Sequence, residues 1–262
     1  LSIVLMSDPR VAAVPVQDCG EELVDTRASG LFLVDERRYD PDGHFAHLRR
    51  GVVDRLQLAQ RLLPSGFRLL IVEGYRPLSL QRAYFEEYAA SLRNAHPDWP
   101  DSRIHEAASR YVSPPRIAPH SAGAAVDLTL ADHDGNEVDM GTRMNASPEE
   151  SDGACYTHAA AVGPSARAHR ETLCRAMSAA GFVNYPTEWW HFSYGDRYWA
   201  FDTDRAAALR PTIAPGLSGP ISPEFFTIVP TSGTGELAGI TGAGGMAVHA
   251  DGTHRIWFDY EL

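Results

Sequence analysis

"APHSAGAAVDLTL", residues 118–130, sets one histidine and one aspartate seven positions apart in a stretch made mostly of Ala, Gly, Val and Leu. From Ala125 onward the pattern alternates, which is the period of a β-strand. Val126, Leu128 and Leu130 share one face; Ala125, Asp127 and Thr129 share the other. So apolar a stretch belongs in the interior, and Asp127 is expected to be held there away from bulk water. A carboxylate there is costly unless something positive meets it. An arginine, a proton or a metal ion can do so, and the rest of the chain has to choose.

Upstream, apolar residues recur at helical spacing from His44 to Leu63, and Pro64-Ser65-Gly66 stops the helix. Leu69–Val72 reads as a buried strand, and Pro77 is placed to open a helix over 78–95. A shorter helix is expected over 102–112, then an extended "SPPRIAP" approach to His120. Residues 1–43 read as short strands and loops. Downstream, "DHDGNEVDMG" reads as a hairpin turn with a returning strand, and 145–164 as a polar loop. Residues 165–180 read as a helix capped by Gly181, and both "EWWHFSYG" and "YWAFD" as strands. Near 210 the composition changes to Pro, Gly and Ser. The expected division is a domain over 1–209, a linker over 210–224 and a small β-rich extension over 225–262, with a turn at Asp251-Gly252.

The 262 residues suffice for one large domain with a small appendage, and 44% hydrophobic content is ordinary for a globular chain. A formal net charge of −11 argues against a phosphate backbone as partner, so no nucleic acid is expected. All 23 basic residues are arginine, which reads as a GC-rich bacterial genome rather than as mechanism. Three cysteines at irregular spacing make neither a disulfide framework nor a zinc knuckle. The apolar run in "LSIVLMSDPR" is too short for a leader or a membrane span. A soluble, cytoplasmic protein without membrane contact is the resulting expectation.

Two further stretches carry chemistry. "TEWWHF" offers Glu188 and His191, and "EGYRP" offers Arg76 directly after a buried strand. Two histidines and a carboxylate with an open fourth position describe a catalytic zinc site. A carboxylate outside the ligand set then serves as general base toward the attacking water, a role that suits Glu188. A guanidinium fixed near the reacting carbonyl stabilises the oxyanion. Plainer readings compete: a hydrogen-bonded core histidine, Arg76 paired with Asp127 or Glu73, and the two tryptophans as packing. Parity also objects, since residues three apart on a regular strand point to opposite faces. "GHFAH" places His44 and His47 at i,i+3, but without a partner carboxylate in context.

The order and separations of "EGYRP", "HSAGAAVDLTL", "DMGT" and "EWWH" resemble the D-alanyl-D-alanine dipeptidases of the VanX type, over roughly residues 15–204. The resemblance implies a zinc ion held by His120, Asp127 and His191, with Glu188 as general base and Arg76 as the transition-state arginine. It implies an α+β fold, a compact domain built on an antiparallel sheet with flanking helices around the zinc site, with a small enclosed pocket for dipeptides and an E-x-x-H pair brought to one metal. Three positions depart from the family: Ala118 where serine is usual, Asn145 where an acid helps hold the substrate's amino group, and, loosely aligned, Arg27 where a tyrosine shapes that end of the pocket. These departures point to an N-acylated or acidic dipeptide, or another small amide, as substrate. A D,D- or L,D-carboxypeptidase acting on peptidoglycan peptides, or a zinc-retaining protein without turnover, are the rivals. The last strands resemble part of a lipocalin-like barrel family of unknown function. Too few to close a barrel, they point to a homodimer through unpaired edges.

Overall fold

The computed structural model describes residues 3–37 and 40–203, and the backbone of three further strands between 222 and 261. The chain divides into two compact units, Leu1–Thr212 and Ile213–Leu262.

In the first unit, a short helix α1 (Pro9–Ala12) precedes β1 (Leu23–Asp25), β2 (Leu33–Val34) and β3 (His47–Arg49). Helix α2 (Arg50–Leu62) follows, then β4 (Arg68–Glu73), α3 (Leu78–Ala95), α4 (Asp101–Ala108), β5 (Ala125–Ala131), α5 (Pro164–Ala179), β6 (Val183–Asn184), β7 (His191–Ser193) and α6 (Arg197–Thr203). Five strands form one sheet in the order β2-β4-β5-β7-β6. The sheet is mixed rather than wholly antiparallel, because β2 runs parallel to β4.

Val126, Leu128 and Leu130 of β5 face the main core with Leu69 and Ile71 of β4 and Phe192 of β7. Helix α2 closes this core with Val52, Val53, Leu56 and Ala59, and α5 with Leu173, Ala176 and Met177. Both helices bury one stripe at i, i+3, i+4 and i+7 spacing, as amphipathic helices on a sheet do. Helix α5 ends on Gly181, whose φ of 93° accompanies bonds from Gly181 N to Ser178 O (2.9 Å) and from Phe182 N to Met177 O (3.1 Å). Helices α3 and α4 pack on each other through a separate cluster that includes Phe85, Leu92 and Ile104.

The opposite sheet face carries the polar row. In β4 the pairing with β5 runs Leu69↔Leu130, Leu70↔Thr129 and Ile71↔Leu128, then shifts so that Glu73, not Val72, stands against Asp127. That bulge turns Glu73 out of the core and onto the face of Asp127. Asp127 in turn pairs with His191 of β7. Three adjacent strands thus present Glu73, Asp127 and His191 in one line.

The structure departs from several sequence expectations. His44–Ala46 is a short 3-10 turn and His47–Arg49 a strand paired with β1, so the helix begins only at Arg50. "YWAFD" lies in helix α6, because Asp196 accepts hydrogen bonds from Tyr198 N (3.2 Å) and Trp199 N (3.0 Å) and so caps it. The turn after β5 returns only as far as a bridge between Ala131 and Glu137.

In the second unit, β8 (Ser222–Ile228), β9 (Thr241–Val248) and β10 (His254–Glu261) form an antiparallel meander in the order β10-β9-β8. Most of the expected linker and the Asp251-Gly252 turn lie outside the described residues; residues 222–224 belong to β8.

Candidate active site and metal centre

His120 sits in a 3-10 turn (His120–Ala122) immediately before β5. Its Nδ1 lies 2.7 Å from Gly74 O. A carbonyl only accepts, so this bond puts the proton on Nδ1 and leaves Nε2 with a free lone pair. That Nε2 lies 3.2 Å from Asp127 Oδ1 and 3.2 Å from His191 Nδ1, and His191 Nδ1 lies 3.0 Å from Asp127 Oδ1. All three residues are buried, and the three donor atoms form one group able to hold a metal ion.

The chemistry of this trio fits a cation. Three acceptor-capable atoms crowd together with too few protons to bridge them. Ligands about 2.1 Å from a tetrahedral zinc stand about 3.4 Å from one another, close to the spacing seen. His191 Nε2 is buried with no hydrogen-bond partner among the described residues, so all the polar contacts of the ring are made by Nδ1, the atom in the trio. Burial lowers the His191 pKa against the opposing pull of Asp127, which favours the neutral ligand form. Burial alone would raise Asp127, but His120 and His191 outweigh it and hold the carboxyl well below its ordinary range.

The parity objection is answered by a turn. Residues 188–191 are not strand throughout: His191 N donates to Glu188 O at 3.2 Å, closing a tight turn just before β7. Glu188 Oε2 thereby lies 3.7 Å from His191 Nδ1. Burial and the neighbouring Asp127 charge raise the Glu188 pKa well above its ordinary value, with Arg76 opposing.

Arg76 leaves β4 through Gly74 and Tyr75. A Cβ on Gly74 would stand 2.9 Å from Leu48 Cγ, 3.0 Å from Phe45 O and closer still to His47 O. Only glycine lets the chain pass there and offer its carbonyl to His120. Arg76 Nε and Nη2 each donate to Glu73 at 2.7 Å, and Nη1 donates to Gln81 Oε1 at 2.9 Å. Glu73 overcomes burial to raise the arginine pKa, so the guanidinium stays charged. Of the two partners weighed from sequence, the side-chain bonds go to Glu73.

These groups line one cavity of about 380 Å³. Glu73, Arg76, His120, Asp127, Glu188 and His191 form one part of its wall. Tyr84, Glu87, Tyr88 and Ser91 contribute one stripe of α3, and Tyr111, Val112 and Asn145 also line it. Sequence reasoning missed this α3 stripe and Gln81.

Asn145 reaches the cavity with φ 58°, a left-handed conformation that Asn tolerates. Its carbonyl accepts from Tyr111 Oη at 2.7 Å. Ala118 is buried beside the site and is not among the residues lining the cavity. Arg27 is not brought there either. Its guanidinium pairs with Asp25 at 2.7 Å, because the carboxylate two residues earlier captures both its backbone and side-chain N–H groups. His47 bonds Gly43 O, whereas His44 gathers with Asp40 and Asp42, so a carboxylate context is present there after all.

A family model described as "D-ala-D-ala dipeptidase" matches residues 51–207. The chain belongs to this peptidase family. It is a metallopeptidase by that membership. A D-alanyl-D-alanine dipeptidase of Synechocystis is 30% identical over 72% of this chain and 88% of its own length. That of Escherichia coli is 35% identical over 49% of this chain and 55% of its own length. Among solved structures, the LdcB LD-carboxypeptidase is 18% identical with a TM-score of 0.40, over 72% of this chain and 76% of that one. Residues 218–260 match a family described only as a protein of unknown function, which lends no support to the expected likeness to a lipocalin-like barrel. Among the described residues, no helix is long and apolar enough to cross a membrane.

Proposed function

We propose that this family member is a zinc-dependent dipeptidase acting on D-alanyl-D-alanine or a closely related small dipeptide. One observation carries the reading: two histidines and an aspartate converge, buried, on the wall of a cavity that also holds Glu188 and Arg76. His120, Asp127 and His191 would hold the ion. Bound zinc supplies a Lewis acid for the scissile carbonyl and lowers the pKa of water. Glu188 takes the proton of the attacking water and hands it to the leaving amine; its raised pKa suits a base that must release that proton again. Arg76 offers its unused N–H groups to the oxyanion as it forms.

The sequence argument for an acidic or acylated substrate leaned partly on Arg27, which binds Asp25 instead. Glu87 and Glu188 line the cavity, so a free amino group is the better match for that wall, with Asn145 as a neutral neighbour.

A second reading has support of its own. The α3 stripe from Tyr84 to Ser91 spans about 10 Å at 1.5 Å per residue, longer than the ~7 Å of an extended dipeptide. A D,D-carboxypeptidase acting on a longer peptide would use that length.

The test is turnover by the zinc-loaded protein of D-Ala-D-Ala, its N-acetyl derivative and an N-terminally extended tripeptide. Preference for the free dipeptide supports the main reading, and preference for the tripeptide supports the second. Glu188→Gln should keep zinc and lose about 10²–10⁴-fold in kcat; near-normal activity in that variant would refute the mechanism.

A cytoplasmic location and a homodimer through the C-terminal strands remain proposals from the sequence. For the dimer, β8 and β10 each pair on one side only among the described residues. Light scattering on a chain ending at Leu209 tests it: a mass state equal to that of the full chain refutes the dimer.

A further inference from the structure

We propose that Gln81 is a positioning residue for the catalytic arginine, fixing the angle at which Arg76 presents its free N–H groups to the substrate. The inference rests on the reading of Arg76 given above.

Gln81 is a polar residue on the buried stripe of α3, in step with Phe85, Ala89 and Leu92. It is only 1% exposed. A primary amide in that position is costly unless both its ends are satisfied. Both are: Oε1 accepts from Arg76 Nη1 at 2.9 Å, and Nε2 donates to Ser113 O at 2.7 Å. The orientation of the amide is forced, since a guanidinium only donates and a carbonyl only accepts.

Glu73 holds the guanidinium along one edge, through Nε and Nη2. A bidentate pair still swings as a unit when the carboxylate side chain rotates. Gln81 adds a third anchor on Nη1, from a different element. Among the described residues three of the five N–H groups are then committed, and the two that remain sit on Nη1 and Nη2. The ring of Tyr84 lies 5.0 Å from the guanidinium carbon and limits tilt. Through Ser113 the same glutamine ties the arginine to the segment that runs into His120.

A misplacement of the order of 1 Å in such a group costs about 100-fold. The loss falls on kcat, because a misaligned arginine fails where charge develops and not where substrate first binds. Gln81→Leu keeps the volume and removes both bonds. It should lower kcat about 10- to 100-fold, with KM changed less than about twofold and zinc content intact. A phosphinate dipeptide, which mimics the tetrahedral state, should lose affinity by the same factor as kcat/KM. In the metal-free protein, the Arg76 guanidinium N–H signals should exchange faster in Gln81→Leu than in the wild type. Gln81→Glu retains an acceptor for Nη1 and should recover most of the lost kcat.

Arg76→Ala sets the benchmark. If it is as active as the wild type, the role of Arg76 itself is wrong. If it is inactive while Gln81→Leu has wild-type kcat, only the positioning role falls. If Gln81→Glu is as poor as Gln81→Leu, the bond to Ser113 is what matters and the proposal is overturned. Should Gln81→Leu fold poorly, Gln81→Met, likewise without either bond, replaces it in each of these comparisons.

Discussion

Gly74→Ala is the most exacting test of how the site is built. The residue has no side chain, lies outside the proposed ligand set and reacts with nothing. Its N–H donates to Phe45 O at 2.6 Å, the next N–H donates from Tyr75 to His47 O at 2.7 Å, and its own carbonyl receives His120 Nδ1 at 2.7 Å. A methyl group there meets Leu48 Cγ at 2.9 Å and two backbone oxygens, and backbone cannot rotate aside as a side chain can. Overpacking of this kind costs about 1–3 kcal/mol, and weakening two main-chain bonds adds about 0.5–1.5 each. A total of about 2–6 kcal/mol corresponds to about 4–24 °C in Tm for a unit of this size. Displacing the carbonyl also frees the His120 ring, and loss of such a support typically costs 10–100-fold in metal affinity. Calorimetry on the metal-free protein reads the first effect, and zinc competition against a chromophoric chelator reads the second. Gly163→Ala is the control, since a Cβ there meets open space among the described residues; as Gly163 is the N-cap of α5, a change within about 1 kcal/mol is expected. If Gly74→Ala keeps wild-type Tm and zinc affinity, the account of how β4 exits toward Arg76 and supports His120 is wrong.

Other expectations follow from the same geometry. Arg170 is buried and donates to Met140 O (2.7 Å), Tyr156 O (2.8 Å) and Ala154 O (2.9 Å), and burial lowers its pKa to about 10. Arg170→Met strands three carbonyls while removing a buried charge, for a net loss of about 3 kcal/mol and faster hydrogen exchange over 140–157; unchanged exchange there would refute the anchoring role. Chelation should lower Tm and abolish turnover together, by about 4 kcal/mol from zinc at a thousand times Kd; an unmoved Tm would mean that the trio binds no ion. Asp25 is held below its ordinary pKa chiefly by the Arg27 side chain. A depressed folded-state pKa gives stability that is complete above the unfolded value near 3.9 and is lost as pH falls through the folded one. Asp25→Asn should therefore flatten part of the stability loss as pH falls below about 4, by no more than about 1 kcal/mol for so exposed a pair; identical acid-unfolding profiles would exclude the contribution.

Residues whose partners lie nearby in the chain, or whose pattern is strict, were legible from the sequence. The alternation in β5 gave the face of Asp127, Pro77 gave the start of α3, and the periodicity that ends at Gly181 gave the span of α5. Failures came where a distant partner decided. His47–Arg49 fits a helical pattern, but β1 claims it as a strand, and no local property announces that pairing. The polar row of Glu73, Asp127 and His191 depends on a one-residue bulge that sequence periodicity does not encode. Two misses were readable. Asp196 is an ordinary N-cap that an aromatic run obscured, and Gln81 stands out as a polar residue on an apolar stripe. Arg27 was aligned to a pocket by spacing alone, while Asp25 two positions earlier was the obvious claimant.

The tight turn from Glu188 to His191 has a bearing on how such an enzyme could be altered. The proposed proton acceptor and the proposed ligand are spaced by four consecutive residues and one backbone bond, so their separation is independent of how the rest of the sheet breathes. Redesign aimed at new substrates therefore has little to gain from that corner. It belongs on the exposed side of the cleft, where Glu87 and Ser91 ride on a helix and can be exchanged without disturbing the hydrolytic end.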